Sequence, residues 1–581
     1  MRCPLCTILL IFFGTLLLIC CPANPAAAAQ TNRNLSILTF YDHPRILVWL
    51  YLNDNARLAG LMAPYEINWR TQQRLQRNSK IVQSFEPELI PTEALVAQIR
   101  AQVLDLRHYS RSLKAFSALI DAEDYVRLQR LPYISRIEPV GICRKQLEVE
   151  DLNSLTKKAP TANNYPYYNQ LAQLNIPRVH QMGLTGKGIR IGLLDTGFNQ
   201  THEALQKVIS EKHLIAQYDF INRDKNVADE ASVDSTKVGL QSTHGTAVWG
   251  LIAGYKPEVY IGAAYDAEFV LAKTEKIDSE THIEEDDYVA GVEWCDHWGV
   301  DIISTSLSYR DFDDFDYEYL DLDGKSTVVT RIVNWAFERG ILFVTAAGND
   351  ALKYEDGGLS APADAFGALT VGAVDNLGII AYFSSYGPTA DGRIKPDLCA
   401  LGRFNYLIAS GRNDGYYYAS GTSFATPLIA GAAALVLQRF PNLTPAEIIA
   451  RLKQFADRSQ NPVVPYGWGI PDVYRSVTET LWVDYEGRSP NPTEIIAYPN
   501  PANEAVKLQF IWHRSLPVAE PAYLQIYNLR GEVIYERLLA SDYFQKREII
   551  EFPLRNVPNG IYFVQLKNKA YAKKGKFVVL H

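Results

Sequence analysis

Four side chains scattered through a chain of 581 residues are of the types that acyl transfer requires. Asp195 follows the apolar run Ile191-Gly-Leu-Leu194 and precedes Thr196-Gly197, which sets its carboxylate at the carboxyl end of a buried strand. His244 stands in Ser242-Thr-His-Gly-Thr-Ala-Val-Trp-Gly-Leu-Ile-Ala-Gly254, where small residues let the start of a helix pack closely on neighbouring backbone. Ser423 lies in Ala419-Ser-Gly-Thr-Ser-Phe-Ala-Thr-Pro427, just ahead of the apolar helix Leu428 to Leu437, and so meets the positive end of a helix dipole and its exposed N–H donors. A lone serine hydroxyl is a poor nucleophile. It needs an adjacent base, the base needs an acceptor on its other ring nitrogen, and the intermediate needs a donor for its oxyanion. His244, Asp195 and Asn349 fit those three needs, the last standing in Thr345-Ala-Ala-Gly-Asn-Asp350 at the end of another buried strand.

The histidines exclude rival chemistries. An α/β-hydrolase places its histidine after its serine, and after Ser423 the sequence holds His513 and His581 alone, both in a C-terminal segment. A zinc protease shows His-Glu-x-x-His, whereas His202-Glu203 is followed by Ala-Leu-Gln. His202, His213, His282 and His297 read as surface or helix-end histidines, and no metal ligand and no cofactor are expected. The acidic run Asp311 to Gly324 offers carboxylates to a structural calcium. A calcium loop needs about six to eight converging oxygens, and the alternation with Phe and Tyr favours a solvated loop. Trp294 and Trp298, four apart on one helical face, read as packing.

The elements that must position these residues alternate. Runs such as Ile189–Leu194, Phe269–Ala272, Val300–Ile303, Ile341–Thr345 and Leu369–Ala373 are separated by longer helical patterns, which implies an α/β fold with a parallel sheet flanked by helices, over residues 165–482. In such sheets the working residues cluster beyond the carboxyl ends of the strands. Ahead of it, Ser112–Asp121, Glu123–Leu131 and Ile134–Val140 read strand, helix, strand, a small α+β region within 30–160 that closes in a polar, cleavable linker with Lys157-Lys158 and Asn163-Asn164. A linker at 483–494 leads to a small β-sandwich over 495–581, whose short strands are punctuated by turns such as Pro558-Asn-Gly560.

Residues 1–29 combine Met1-Arg2, an apolar run from Ile8 to Cys21 and Ala26-Ala27-Ala28-Ala29, the pattern of a secretory signal cut before Gln30. Cys20 is preceded by Ile19, not the small residue a lipoprotein signal wants. No later run is long and apolar enough for a membrane span, so none is expected in the mature form. The balance of 57 basic against 65 acidic residues, net −8, without a Lys/Arg stripe, excludes a nucleic-acid partner. Of seven cysteines, Cys3, Cys6, Cys20 and Cys21 fall in the signal and Cys143 in the N-terminal region, which excludes a cystine scaffold. Cys295 and Cys399 remain, and two buried thiols are favoured over a pair.

The chain order Asp195, His244, Ser423 is that of the subtilisin-type serine proteases. Leu194-Asp-Thr-Gly197, His244-Gly-Thr246, Ala347-Gly-Asn349 and Gly421-Thr-Ser-Phe-Ala-Thr-Pro427 resemble subtilase motifs and stand in the family's sequence. The resemblance implies a serine endopeptidase with Ser423 as nucleophile, His244 as general base and then acid, Asp195 as orienting carboxylate, and Asn349 with the Ser423 N–H as oxyanion hole. It further implies that Ser306-Leu307-Ser308 pairs with an extended protein substrate and that Ala346-Ala347-Gly348 walls the specificity pocket. Ser308, Phe424 and Leu401 stand where the family usually shows Gly, Met and Pro. Leu113–Leu119 and Leu131–Val140 resemble pieces of the family's inhibitory propeptide, which implies that the chain's own residues 30–160 are a partner of the enzyme. Ala497-Tyr-Pro-Asn-Pro-Ala502, Ile526–Gly531 and Asn559–Leu566 resemble the C-terminal module that the type IX secretion machinery of Bacteroidetes-type bacteria recognises, which implies export across the outer membrane. A catalytically silent binding protein on the same scaffold is the alternative, and labelling by a fluorophosphonate separates the two.

Overall fold

The computed structural model describes residues 45–78, 88–140, 166–230, 241–276, 283–310 and 316–479, and in the C-terminal segment 495–498, 502, 504–510, 522–529, 531–539, 549–567 and 572–579. The expected signal, both linkers, His282 and residues 311–315 of the acidic run lie outside the described residues.

The chain forms two compact units. In chain order the N-terminal elements are β1 (Arg45–Leu52), β2 (Met62–Pro64), α1 (Trp69–Asn78), β3 (Leu89–Pro91), α2 (Glu93–Arg100), β4 (Asp105–Ser110), β5 (Ala115–Asp121) and β6 (Ile134–Pro139). The smaller unit takes in the chain up to Leu61, Pro91–His108 and Phe116–Pro139. Its sheet has the order β4-β5-β1-β6, with β1 antiparallel to β6. Trp49, Leu50, Phe116, Ile120, Leu95 and Ile99 are buried in it. The expected strand, helix, strand is present as β5, a helical turn at Tyr125–Gln129, and β6. Met62–Ile90 and Tyr109–Ala115 belong to the larger unit, so α1 and the turn after β4 pack there although they are N-terminal in sequence.

The larger unit is built on β7 (Arg190–Asp195), β8 (Leu214–Asp219), the two-residue strands β9 (Tyr255–Lys256) and β10 (Tyr260–Ile261), β11 (Glu268–Lys273), β12 (Ile302–Thr305), β13 (Leu342–Ala346), β14 (Ala368–Val374) and β15 (Leu398–Leu401). Seven of these form one sheet of order β15-β14-β13-β12-β7-β11-β8, in which every neighbour pairs in parallel. Side chains on both faces of β7, β12, β13 and β14 are buried, which is why these strands read as unbroken apolar runs. From β7 the chain first builds one side of the sheet, with β8 at the edge and β11 between, and then crosses to β12 on the other side; a sheet of this kind opens a crevice at the carboxyl ends where its winding reverses, here between β7 and β12.

Helices α3 (Thr243–Ala253), α4 (Ile283–His297), α5 (Val328–Glu338), α6 (Thr422–Arg439) and α7 (Pro445–Gln454) complete the layers. Helix α6 is buried from Thr422 through Leu437, which its Ala- and Gly-rich sequence allows: a Cβ at Gly431 would stand 2.4 Å from that of Ala263. A hairpin, β16 (Asn405–Ile408) and β17 (Tyr416–Ala419), runs straight into α6. Cys295 and Cys399 are two separate buried thiols, both pushed upward in pKa by burial. Trp294 and Trp298 meet edge to face at 6.1 Å as packing partners. No helix among the described residues is long and apolar enough to cross a membrane.

The C-terminal segment carries β18 (Ile495–Tyr498), β19 (Ala505–Phe510), β20 (Ala522–Tyr527), β21 (Val533–Leu539), β22 (Ile549–Pro553), β23 (Gly560–Lys567) and β24 (Ala572–Val579). They form antiparallel sheets of order β18-β19-β22 and β21-β20-β23-β24. Val506, Leu508 and Ile550 of the first pack with Leu524, Val564 and Phe577 of the second in one core, the expected sandwich.

Candidate active site

Asp195 is the last residue of β7, between β12 and β11 inside the sheet, and is fully buried. Its Oδ1 accepts from the Thr196 N–H at 2.8 Å and hydroxyl at 3.2 Å, and it lies 2.7 Å from His244 Nδ1. A carboxylate held by its own following residue presents a fixed acceptor to the imidazole, which sets the tautomer with the proton on Nδ1 and leaves Nε2 as the basic nitrogen.

His244 is the second residue of α3. Two features bring that helix end against β7. The residue after the histidine is Gly245, where a Cβ would lie 2.2 Å from the Gly197 carbonyl oxygen, so a larger residue cannot be seated there. The helix start is also tied down, since the carboxylate of Asp229 accepts from the Ser242 N–H at 2.7 Å and its hydroxyl at 2.9 Å. Gln241 donates at 2.7 Å both to Thr196 O and to Glu275 O, joining the turn after β7 to the turn after β11.

Ser423 is the second residue of α6, where first-turn N–H groups have no partner within the helix. The ring of Phe424 lies 5.9 Å from that of His244, which places the imidazole beside this helix start. The Ser423 hydroxyl donates to the Ser306 carbonyl at 3.4 Å, and the Ser306 hydroxyl donates to the Ser423 carbonyl at 2.8 Å. The second bond answers a defect built into the helix. Pro427 stands four residues on and has no N–H to give the Ser423 carbonyl, so Ser306 supplies the missing donor.

Asn349 follows β13 through Gly348, whose φ of +108° suits glycine, and a Cβ there would stand 2.9 Å from Ser385 Oγ. Its Oδ1 accepts from the Thr422 N–H at 2.9 Å and the Thr422 hydroxyl at 3.0 Å. With the amide oxygen turned to Thr422, the NH2 group faces the other way. Ser385 closes the turn from beneath: its N–H donates to Gly348 O and its hydroxyl accepts from the Asp350 N–H, both at 2.9 Å.

Ser306, Leu307 and Ser308 continue from β12 outside the sheet ladder. Leu307 is buried and Ser308 is half-buried, so the backbone is what this segment presents. Its far end is pinned by Tyr309, which exchanges two backbone bonds with Ala361 at 2.8 and 3.0 Å and donates its hydroxyl to Glu275. Burial first, and the Glu275 carboxylate second, hold the Tyr309 phenol well above its ordinary pKa. Ala346, Ala347 and Gly348 are buried at the end of β13.

The structure thus brings Asp195, His244, Ser423 and Asn349 to the carboxyl ends of β7 and β13 and the starts of α3 and α6. Sequence reasoning missed Thr422, Asp229, Gln241 and Ser385. A Thr directly before the serine and an Asp ahead of the histidine helix are visible in the sequence, but the distances that join them are not. Among the other histidines, His202 stands at a helix end, as expected, and is buried there. It caps a helical turn, its Nδ1 accepting from the Ala204 N–H at 3.2 Å. In the described part of the acidic run, Asp321 accepts from the Glu318 N–H, and Asp323 from the N–H groups of Lys325 and Ser326.

Residues 186–469 match the subtilase family, and residues 496–580 match the secretion system C-terminal sorting domain. The chain is 31% identical over 323 residues to the serine protease AprX of Bacillus subtilis, a match covering 51% of this chain and 67% of that protein. It is 28% identical to the alkaline protease of Alkalihalobacillus alcalophilus, over 65% of this chain and 83% of the relative, and 28% identical to subtilisin E of Bacillus subtilis, over 62% and 80%. The sorting domain marks the chain for type IX export. With both matches and this site in place, the chain belongs to the subtilase family of serine proteases.

Proposed function

We propose that this serine protease cleaves proteins through an acyl-enzyme on Ser423 and is held inactive by residues 30–160 until they are processed. His244 Nε2 takes the Ser423 proton as Oγ bonds to the scissile carbonyl carbon, then gives that proton to the departing amine. A water then loses a proton to the same nitrogen as its oxygen bonds to the acyl carbon, and collapse breaks the ester, releasing the acid while Nε2 returns the proton to Ser423 Oγ. Asp195 stabilises the imidazolium that forms twice in each cycle. The Asn349 NH2 and the Ser423 N–H receive the oxyanion. Ser306–Ser308 offers backbone to an extended substrate, and Ala346, Ala347 and Gly348 wall its pocket. A side-chain nucleophile and base call for no cofactor.

The observation that carries the reading is the 2.7 Å contact of Asp195 with His244 beside the start of the helix that bears Ser423. The test is Ser423→Ala in the processed enzyme, with a protein substrate and a fluorophosphonate probe. Both hydrolysis and labelling should disappear, and hydrolysis retained by the purified variant would defeat the assignment. Inhibition is tested by cutting the wild-type chain between residues 141 and 165 and following activity as the N-terminal fragment is degraded.

A further inference from the structure

Strand β11 ends in Ala272-Lys273, and a lysine inside a parallel sheet is out of character, because its ammonium is almost never fully buried without a partner. Lys273 is fully buried. In the parallel register it stands beside Asp195 of β7 on one side and beside Asp219 of β8 on the other, so three charged residues form one row across the carboxyl ends of adjacent strands. Residues of equal parity along a strand share a face. Phe269 of β11 meets Trp249 of α3 at 6.0 Å, whereas Tyr218 of β8, of the opposite parity, meets Trp294 of α4, and a Cβ on Gly192 would point at Cys295 of α4. The row therefore lies on the α3 side of the sheet, the side that carries His244.

The Lys273 ammonium lies 2.9 Å from Asp219 Oδ2, and both side chains are sealed from water. Asp219 is held by its own turn, as Asp195 is by Thr196: Oδ1 accepts from the N–H groups of Ile221 and Asn222 at 2.8 and 2.9 Å, and Oδ2 from the Asn222 amide at 3.0 Å. Backbone bonds join the strand ends, Thr274 N–H to Asp195 O at 3.0 Å and Phe220 N–H to Lys273 O at 2.9 Å. The other charged residues around the row are Asp229 at the Ser242 cap, Asp224, whose carbonyl accepts from the Asp219 N–H, and Glu275 just past β11. Read from β8, the row runs minus, plus, minus, and an imidazolium at His244 would extend the alternation by one.

We infer that Lys273 is a positioning residue of the catalytic site: its ammonium, anchored by Asp219, keeps Asp195 a carboxylate and opposes the charging of His244, and Asp219 sets how strongly it does so. The inference rests on the reading of His244 as the general base. A buried carboxylate facing an imidazole favours the imidazolium, which spends the base before a substrate arrives, and a cation on the next strand offsets that pull. Neighbouring strands lie about 4.8 Å apart, so both charges stand on the order of 10 Å from the ring. At an effective dielectric of about 20, a unit charge at that range displaces a titration by roughly one pH unit.

The experiment measures the acid limb of kcat/KM for the processed enzyme and for Lys273→Gln, Lys273→Arg and Asp219→Asn. Lys273→Gln keeps a donor for Asp219 and so threatens the fold less than an apolar replacement. The limb should move up by about one pH unit in Lys273→Gln and down by about one in Asp219→Asn, and stay within a few tenths of the parent in Lys273→Arg, whatever happens to kcat. A structural role alone would lower kcat or stability without moving the limb in opposite senses. The same displacements are read without catalysis by following the His244 ring protons by NMR in the full chain carrying Ser423→Ala. A parent enzyme with no acid limb would therefore count against His244 as the base, while the ring titrations still decide the role of Lys273. Titrations that stay with the parent in both Lys273→Gln and Asp219→Asn, or that move the same way in both, would overturn the inference.

Discussion

The reciprocal bonds between Ser306 and Ser423 allow a quantitative test of how the start of α6 is held. In Ser306→Ala the carbonyl of Ser423 loses the 2.8 Å donor, and Pro427 has no N–H to replace it. Ser306 and Ser423 are each 7% exposed, so water replaces the donor poorly. A buried acceptor left without a partner costs about 1–3 kcal/mol. Pro427→Ala restores the ordinary i to i−4 donor to the same carbonyl. In that background Ser306→Ala removes a bond that is no longer needed, and its cost should fall to a few tenths of a kcal/mol. The coupling energy is thus expected to be about 1–2 kcal/mol, with the two single changes less than additive. It is read from urea unfolding of the four proteins in a Ser423→Ala background, which suppresses self-digestion. Equal costs of Ser306→Ala with and without Pro427 would refute the idea that the Ser306 hydroxyl substitutes for the proline's missing N–H.

Asn349→Ala should lower kcat by about 10²–10³, the range known for an oxyanion donor of the related subtilisin, while Thr422→Val, which leaves the backbone donor to Oδ1, should lose about tenfold. Peptide hydrolysis unchanged in Thr422→Val would show that the Thr422 hydroxyl does not position the amide. Gly245→Ala should abolish activity, because its Cβ would be driven into Gly197 O and push α3 away from Asp195. A structure of that variant with the 2.7 Å Asp195–His244 contact intact would count against this. Burial raises Glu285 to about 7, against a smaller lowering by the Tyr317 hydroxyl that donates to it. Between about pH 4.5 and 7 the folded chain then holds a proton that the unfolded chain has lost, so stability falls by about 1.4 kcal/mol per pH unit in this window and levels above it. Glu285→Gln should therefore gain on the parent between pH 5 and pH 8 in denaturant midpoints, and a difference independent of pH would contradict the assignment.

The chemistry was more legible in the sequence than the framework that aims it. Asp195, His244, Ser423 and Asn349 each sit at a strand end or helix start that periodicity and small residues mark out. β7, β11, β12, β13 and β14 lie within a residue or two of the predicted runs, because strands buried on both faces must be apolar along their whole length. The bonds from Thr422 to Asn349 and from Ser306 to Ser423 span 73 and 117 residues, and nothing local in the chain announces them. Helix α1 was illegible for another reason. It buries charge, with Arg74 deep in the contact, and so lacks the apolar stripe by which a helix is recognised. Apart from the carboxylates of Asp296 and Asp301, its partners are backbone carbonyls, which every residue possesses and no sequence pattern distinguishes.

Asp296 receives guanidinium groups from two sources. Arg74 and Arg111 come from the N-terminal region, and Arg339, 2.9 Å away, comes from the end of α5. Removal of Arg74 and Arg111 would strip the acid of two counter-ions and leave Arg339 in place, so Asp296 would not be stranded as a bare anion. Arg74 has no such reserve, since within its own helix its guanidinium reaches the Thr71 hydroxyl alone, at 3.5 Å. Dependence therefore runs one way: Asp296 keeps a counter-ion of its own from α5, while Arg74 has its charge partner only in Asp296.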